Sequence, residues 1–287
     1  AHATGGLAVA FATAGPGFAN AFSSLCNAAA DRLPMLLITS SPPLRETELN
    51  VLQDGIDQVA AARVVAKWAH RVTTVARVPD LVALAVRHAT TGVPGPVVLD
   101  IPIDVMFKQI DASLAARPVL TLPRPPAPAP ETVAELVEIL AAAEHPVILA
   151  GGGASLSPGF RPALEALVAA VPLPVYGVSW GLGLLDPDHP CWAGNAGDAA
   201  ATQFLAAPPD VVVLLGARRG MMTGSRTGSI IPADARVIHV DLDATQAGRI
   251  GEVALSVNAD AAETVRALTR AAAQLPGWPD RSEEHTS

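Results

Sequence analysis

Between residues 118 and 130 the chain carries six prolines and no apolar periodicity. Proline fixes φ and removes a backbone donor, so this stretch can neither continue a helix nor enter the interior of a sheet. It is predicted to run as an extended, semi-rigid connector. Whatever folds must therefore fold on either side of it. We place a first domain over residues 1–112, the connector over 113–130, a second domain over 131–275 and a tail over 276–287.

On the N-terminal side, short apolar runs alternate with helical spacing. LAVAFAT (7–13) reads as a buried strand, broken by Gly15-Pro16-Gly17 and followed by an Ala-rich helix over 18–30. PMLLITS (34–40) and PVVLDI (96–101) read as further buried strands, with a helix over 78–91 between them. After the connector come helix 131–143, strand 146–150, helix 160–171, strand 173–178, helix 197–206, strands 210–217 and 236–241, and a final helix over 261–273. Strand–helix alternation predicts α/β architecture with parallel sheets, the second domain doubly wound and Rossmann-like.

Composition narrows the function classes. At 50% hydrophobic and 16% charged the chain is globular, and its net charge of −8 without basic clusters argues against nucleic acid and anionic membrane partners. No apolar run approaches the roughly 18 residues of a membrane helix. Cys26 and Cys191 share no metal or redox spacing and suit a reducing cytoplasm. The chain starts at Ala1 and enters a strand within a few residues, and it ends in RSEEHTS (281–287), which reads like a translated sequencing adapter. A fragment with a terminal scar is the expectation, inactive by itself.

Chemistry concentrates in a polar island around Gln53, Asp54, Asp57 and Gln58, set in an otherwise apolar region. Loops on rigid apolar scaffolds often carry binding groups, which makes Gln53 the first candidate; capping a helix or hydrating a surface is the competing reading. Three other patterns are weaker. Gly177-Val178-Ser179-Trp180-Gly181 has the form of a nucleophile elbow, but loop sequence follows where a helix is required. Asp241-Leu242-Asp243 resembles an aspartyl-phosphatase motif with too little chain after it. Gly151-Gly152-Gly153 lacks the later glycine of a dinucleotide loop. Seven histidines show no metal spacing, so no metal ligand is assigned.

TAGPGFANA (13–21), LQDGIDQVA (52–60), KWAHRV (67–72) and GPVVLDIPID (95–104) together resemble the thiamine diphosphate enzymes of the acetolactate synthase superfamily, and within it the benzaldehyde lyase family. GARRGMMTG (216–224), RVIHVDLDA (237–244 and the preceding Arg236) and WPDR (278–281) extend the resemblance. It implies a truncated pyrimidine-binding domain followed by a central domain. The diphosphate-binding domain that holds Mg²⁺, and a glutamate that bonds the aminopyrimidine, would lie outside residues 1–287. It also implies roles. Gln53 matches an active-site glutamine; Thr13, Gly15, Pro16, Gly17 and Asn20 match the turn bordering the aminopyrimidine; Leu52 and Ile103 match pocket positions.

Ile103 stands where the lyase family has tryptophan, and Pro16 where it has glycine, the Gly-Pro-Gly form being that of the wider superfamily. Arg218-Arg219-Gly220 follows the lyase pattern and disfavours FAD. The implied substrates are small 2-keto acids or 2-hydroxy ketones, and the implied full-length assembly is a homodimer or homotetramer. A lyase/carboligase, an acetolactate synthase-like condensing enzyme and a non-catalytic nucleotide-binding module are the three functions the sequence leaves open.

Overall fold

The computed structural model describes residues 1–274 apart from 2, 50, 51, 54, 206, 225 and 226. The tail, the WPDR and RSEEHTS segments and Asp54 lie outside the described residues. The chain forms two units, Ala1–Arg124 and Pro125–Ser287, the division falling within the proline-rich connector.

The first unit contains β1 (Ala8–Ala12), α1 (Pro16–Ala30), β2 (Met35–Ser41), α2 (Gln58–Ala62), β3 (Trp68–Arg71), α3 (Val78–Thr90), β4 (Pro96–Pro102) and the single turn α4 (Ile103–Met106). Its sheet has the order β1-β2-β4-β3, every pairing parallel. All seven residues of β4 are buried, as expected for a central strand covered on both faces. Leu36, Leu81, Val97, Leu99 and Ile101 pack one face, and Phe18, Leu25, Leu37, Val59 and Val98 the other.

The second unit contains α5 (Pro130–Ala141), β5 (Pro146–Ala150), α6 (Gly152–Leu156), α7 (Phe160–Ala170), β6 (Val175–Gly177), β7 (Trp192–Asn195), α8 (Ala196–Leu205), β8 (Val211–Leu215), β9 (Arg236–Val240), β10 (Leu255–Val257) and α9 (Ala261–Ala272). The parallel sheet has the order β10-β9-β8-β5-β6-β7, so strand order reverses between β5 and β8. Pro130 opens α5 at its first turn, where a missing N–H costs nothing. Buried Asp260 caps α9, accepting from Glu263 N at 3.1 Å and from Ser157 Oγ at 2.7 Å.

Fold class follows the expectation, but several element bounds do not. Besides β10, two strands were not anticipated: β3 lies within the region read around the polar island, and β7 within the loop after Gly181. Each is a four-residue edge strand beginning at tryptophan, too short to show a clear alternation. The helix expected from residue 18 starts at Pro16, because proline suits the first helical position. The strand expected over 173–178 is confined to Val175–Gly177. Among the described residues no helix is long and apolar enough to cross a membrane.

Candidate active site at the carboxyl edge of the first sheet

The carboxyl ends of parallel strands are where α/β folds gather working groups. In the first unit this edge brings together the β1–α1 turn, the end of β2 and the loop leading to α2. Gly15 occupies φ 59°, ψ −107° ahead of α1, a region that disfavours a side chain. A Cβ on Gly15 would sit 2.9 Å from Gln53 O and 3.3 Å from Gln53 Cβ. The Gly15 turn and Gln53 are therefore in backbone contact, and the glycine is needed for that approach. The similar space at Gly17 is filled by Thr13, whose Cγ2 would lie 2.6 Å from a Cβ there.

Gln53 itself holds φ at 64°, left-handed backbone that a glutamine seldom adopts. Such conformations persist only where the surroundings impose them, and they cluster at functional sites. Its side chain is exposed, and Thr13 Oγ1 donates to its Oε1 at 3.3 Å. Among the described residues no hydrogen bond from the Gln53 Nε2 is found.

Thr13, Gly15 and Gln53 thus form one group. Pro16 is exposed at the start of α1 and Asn20 is exposed one turn further along the same helix. Leu52, beside Gln53, is 88% exposed, and Ile103, the first residue after β4, is 42% exposed. Ile103 lies two strands away from β1 in the sheet order, at the same carboxyl edge, and is not in the Gln53 group.

Two features of this edge escaped sequence reasoning. Gln58 is 1% exposed. Its Oε1 accepts from Gly15 N at 2.8 Å and its Nε2 donates to Ser40 O at 2.8 Å. Asp57 caps α2 by accepting from Ala60 N at 3.1 Å, which sets Gln58 in the first turn facing inward. The Asp-Gln-Val-Ala-Ala-Ala order was the signal for this cap. Ser40 adds a second tie, its Oγ accepting from Ala14 N at 3.1 Å.

The second feature is the pair of Asp100, on β4, with Arg71, its register neighbour on β3. Arg71 Nε donates to Asp100 Oδ2 at 2.6 Å, the carboxyl being fully buried. Burial pushes the Asp100 pKa up; Arg71 and the neighbouring Ser41 hydroxyl pull it down, and the charge of Asp57 adds to the rise. Ser41 Oγ stands outside hydrogen-bond geometry, so it softens the rise without pairing. An acid whose folded pKa is raised favours folding below its unfolded value and loses that contribution as pH climbs through the folded value. The wild-type chain should therefore lose stability from this group as pH rises out of the ordinary carboxylate range. Asp100→Asn should remove that dependence. Urea midpoints across pH check it: the difference between wild type and variant should turn against the wild type with rising pH.

The weaker sequence patterns resolve as structure. Ser179 has φ 52°, as an elbow nucleophile would, but only a 3-10 turn follows, and no histidine or carboxylate among the described residues bonds its hydroxyl. Asp243 accepts from Thr245 N at 3.0 Å and from Gln246 Nε2 at 2.8 Å, stabilising a turn. Gly151 and Gly153 pack on the loop after β8, with Gly153 N donating to Gly216 O at 2.9 Å. The described residues contain no group of three or more His, Cys, Asp or Glu side chains that could hold a metal ion.

Comparison with known proteins agrees with this architecture. Residues 1–61 match the family profile "Thiamine pyrophosphate enzyme, N-terminal TPP binding domain", and residues 133–268 match "Thiamine pyrophosphate enzyme, central domain". A probable acetolactate synthase large subunit of Methanocaldococcus jannaschii is 30% identical over 281 residues, covering 94% of this chain and 46% of the relative. The oxalyl-CoA decarboxylase of Escherichia coli K12 is 31% identical over 261 residues, covering 88% of this chain and 44% of the relative. The glyoxylate carboligase of Escherichia coli O157:H7 is 30% identical over 279 residues, covering 94% and 46%. The chain spans about half the length of these curated relatives. With both domain profiles matched in order on two parallel α/β units, the chain belongs to the thiamine pyrophosphate enzyme family.

Proposed function

We propose that this chain is the pyrimidine-side and central portion of a longer thiamine diphosphate-dependent enzyme that makes or breaks a C–C bond next to a carbonyl. Its reading is a lyase/carboligase on 2-hydroxy ketones. The observation that supports it is the Gln53 group: a strained, exposed glutamine whose side-chain oxygen is held by Thr13, in contact with a glycine turn at the carboxyl edge of a parallel sheet.

The residues present suit one wall of a cofactor site. Thr13 and the side chain of Asn20 are exposed at this edge and offer polar groups to solvent, while the backbone of the Gly15 turn is engaged within the protein, Gly15 N by Gln58 and Gly17 N by Ala14 O. Thiamine diphosphate, when bound, would supply the electron sink that the side chains of a protein lack. Gln53 would donate an Nε2 hydrogen to the substrate oxygen, an interaction that strengthens as charge develops there. Thr13 would hold the amide so that this donor points outward. Leu52 and Ile103 would exclude water from the substrate, Ile103 leaving more room than the tryptophan of the lyase family. Mg²⁺ is assigned to residues outside this chain, and FAD is not favoured for the central domain. A homodimer or homotetramer, in the cytoplasm, is proposed for the full-length enzyme.

A second reading, acetolactate synthase-like condensation of 2-keto acids, is favoured by the Gly15-Pro16-Gly17 turn and by relatives of that name. Assaying the product of the complete reading frame against benzoin and pyruvate separates the two. Benzoin cleavage is the expected result; acetolactate from pyruvate with benzoin untouched would establish the second reading instead.

A further inference from the structure

The loop over residues 42–57 joins β2 to α2 and carries Gln53. Loops of this length without extended secondary structure are uncommon in compact domains unless they have a function. Its first part is tethered by Leu44 N donating to Asp104 Oδ1 at 3.0 Å. Its base is closed by Gln58, whose amide donates to Ser40 O at the end of β2 and accepts from Gly15 N. The same Gly15 meets Gln53 on its other side.

We propose that Gln58 is a positioning residue: its buried amide holds the base of the 42–57 loop and the Gly15 turn together, and thereby fixes Gln53. The role requires a donor and an acceptor on one side chain. Serine 40 presents a carbonyl and Gly15 an N–H, and neither can turn over without moving its strand or turn. A carboxylate of equal length keeps the acceptor for Gly15 but sets negative charge against the Ser40 carbonyl. A thioether of similar volume fills the space and serves neither. The catalytic consequence rests on the reading of Gln53 given above; the mechanical one does not.

Amide hydrogen exchange on the purified chain tests the mechanical part. In Gln58→Met, exchange over residues 13–17 and 42–57 should rise by about tenfold or more, while amides of β4 keep their protection, as in opening of one local unit. Gln58→Glu should give a smaller rise, and it carries the same comparison if Gln58→Met does not fold. Unchanged loop protection, or an equal loss in β4, would overturn the proposal and make Gln58 an ordinary core residue. In the full-length enzyme, Gln58→Met should lower kcat more than it changes KM. Combined with Gln53→Ala it should add less than about twofold to the loss from Gln53→Ala alone, because coupled residues fail to add. Fully additive losses would overturn action through Gln53. If Gln53→Ala is silent while Gln58→Met still opens the loop, the clamp stands and the role assigned to Gln53 falls.

Discussion

Gln53→Ala in the full-length enzyme should lower kcat strongly, by about 2–4 kcal/mol of transition-state stabilisation, with KM changed much less. The size follows from the position of the side chain. An amide donor aimed at an oxygen that gains charge acts on the transition state more than on the bound substrate. Its backbone sits at φ 64° against Gly15, and its side-chain amide oxygen Oε1 accepts from Thr13 Oγ1, which favours one orientation of the donor before substrate arrives. Steady-state kinetics with saturating thiamine diphosphate and Mg²⁺ supply the check. A rise in KM with kcat unchanged would reduce Gln53 to a ground-state contact. Unchanged kinetics would make it a surface amide.

Gly216→Ala should be strongly damaging to the second unit, costing about 2–5 kcal/mol: roughly 1–2 for a non-glycine residue in left-handed backbone and 1–3 for overpacking. Gly216 has φ 54°, and an added Cβ would collide with Ala154 N and lie 2.6 Å from Gly153 C. Both contacts are backbone, so no side chain can swing away. Gly220→Ala is the control, because Gly220 is in extended backbone at φ −176° with nothing near its Cβ position. It should be nearly neutral. Urea denaturation of the two variants beside wild type gives the comparison; equal effects would mean that the β5 and β8 loops are not packed as described.

The legible parts of this fold were those written in local pattern. Pro118 to Pro130 marked the break because proline acts on its own backbone, and residues 96–101 read as a buried strand because Val97, Val98, Leu99 and Ile101 are apolar and β-forming. Gly-Pro-Gly announced a turn into a helix, and α1 begins there at Pro16. Trp68–Arg71 and Trp192–Asn195 were not legible, since a four-residue edge strand takes its identity from the neighbour it pairs with.

Site geometry was less legible for the same reason. Gln53 stood out as a polar residue on a loop, but its partners come from far along the chain: Thr13 lies 40 residues before it. Asp100 passed unremarked within the strand PVVLDI, and only the parallel register with β3 shows that Arg71 answers it. Gln58 looked like one more amide of a polar island, and became a bridge once the end of β2 and the Gly15 turn met beside it. The resemblance assigned the glycines of the turn to the approach of a cofactor; the structure shows Gly15 accommodating Gln53 and Gly17 accommodating Thr13.

The most direct measurement is turnover by the full-length protein, expressed from the complete reading frame and stripped of cofactor, with and without thiamine diphosphate and Mg²⁺. C–C bond cleavage or ligation on a 2-hydroxy ketone that appears only when both are restored is the predicted result. A full-length protein that neither binds thiamine diphosphate nor turns over 2-hydroxy ketones or 2-keto acids would contradict the account.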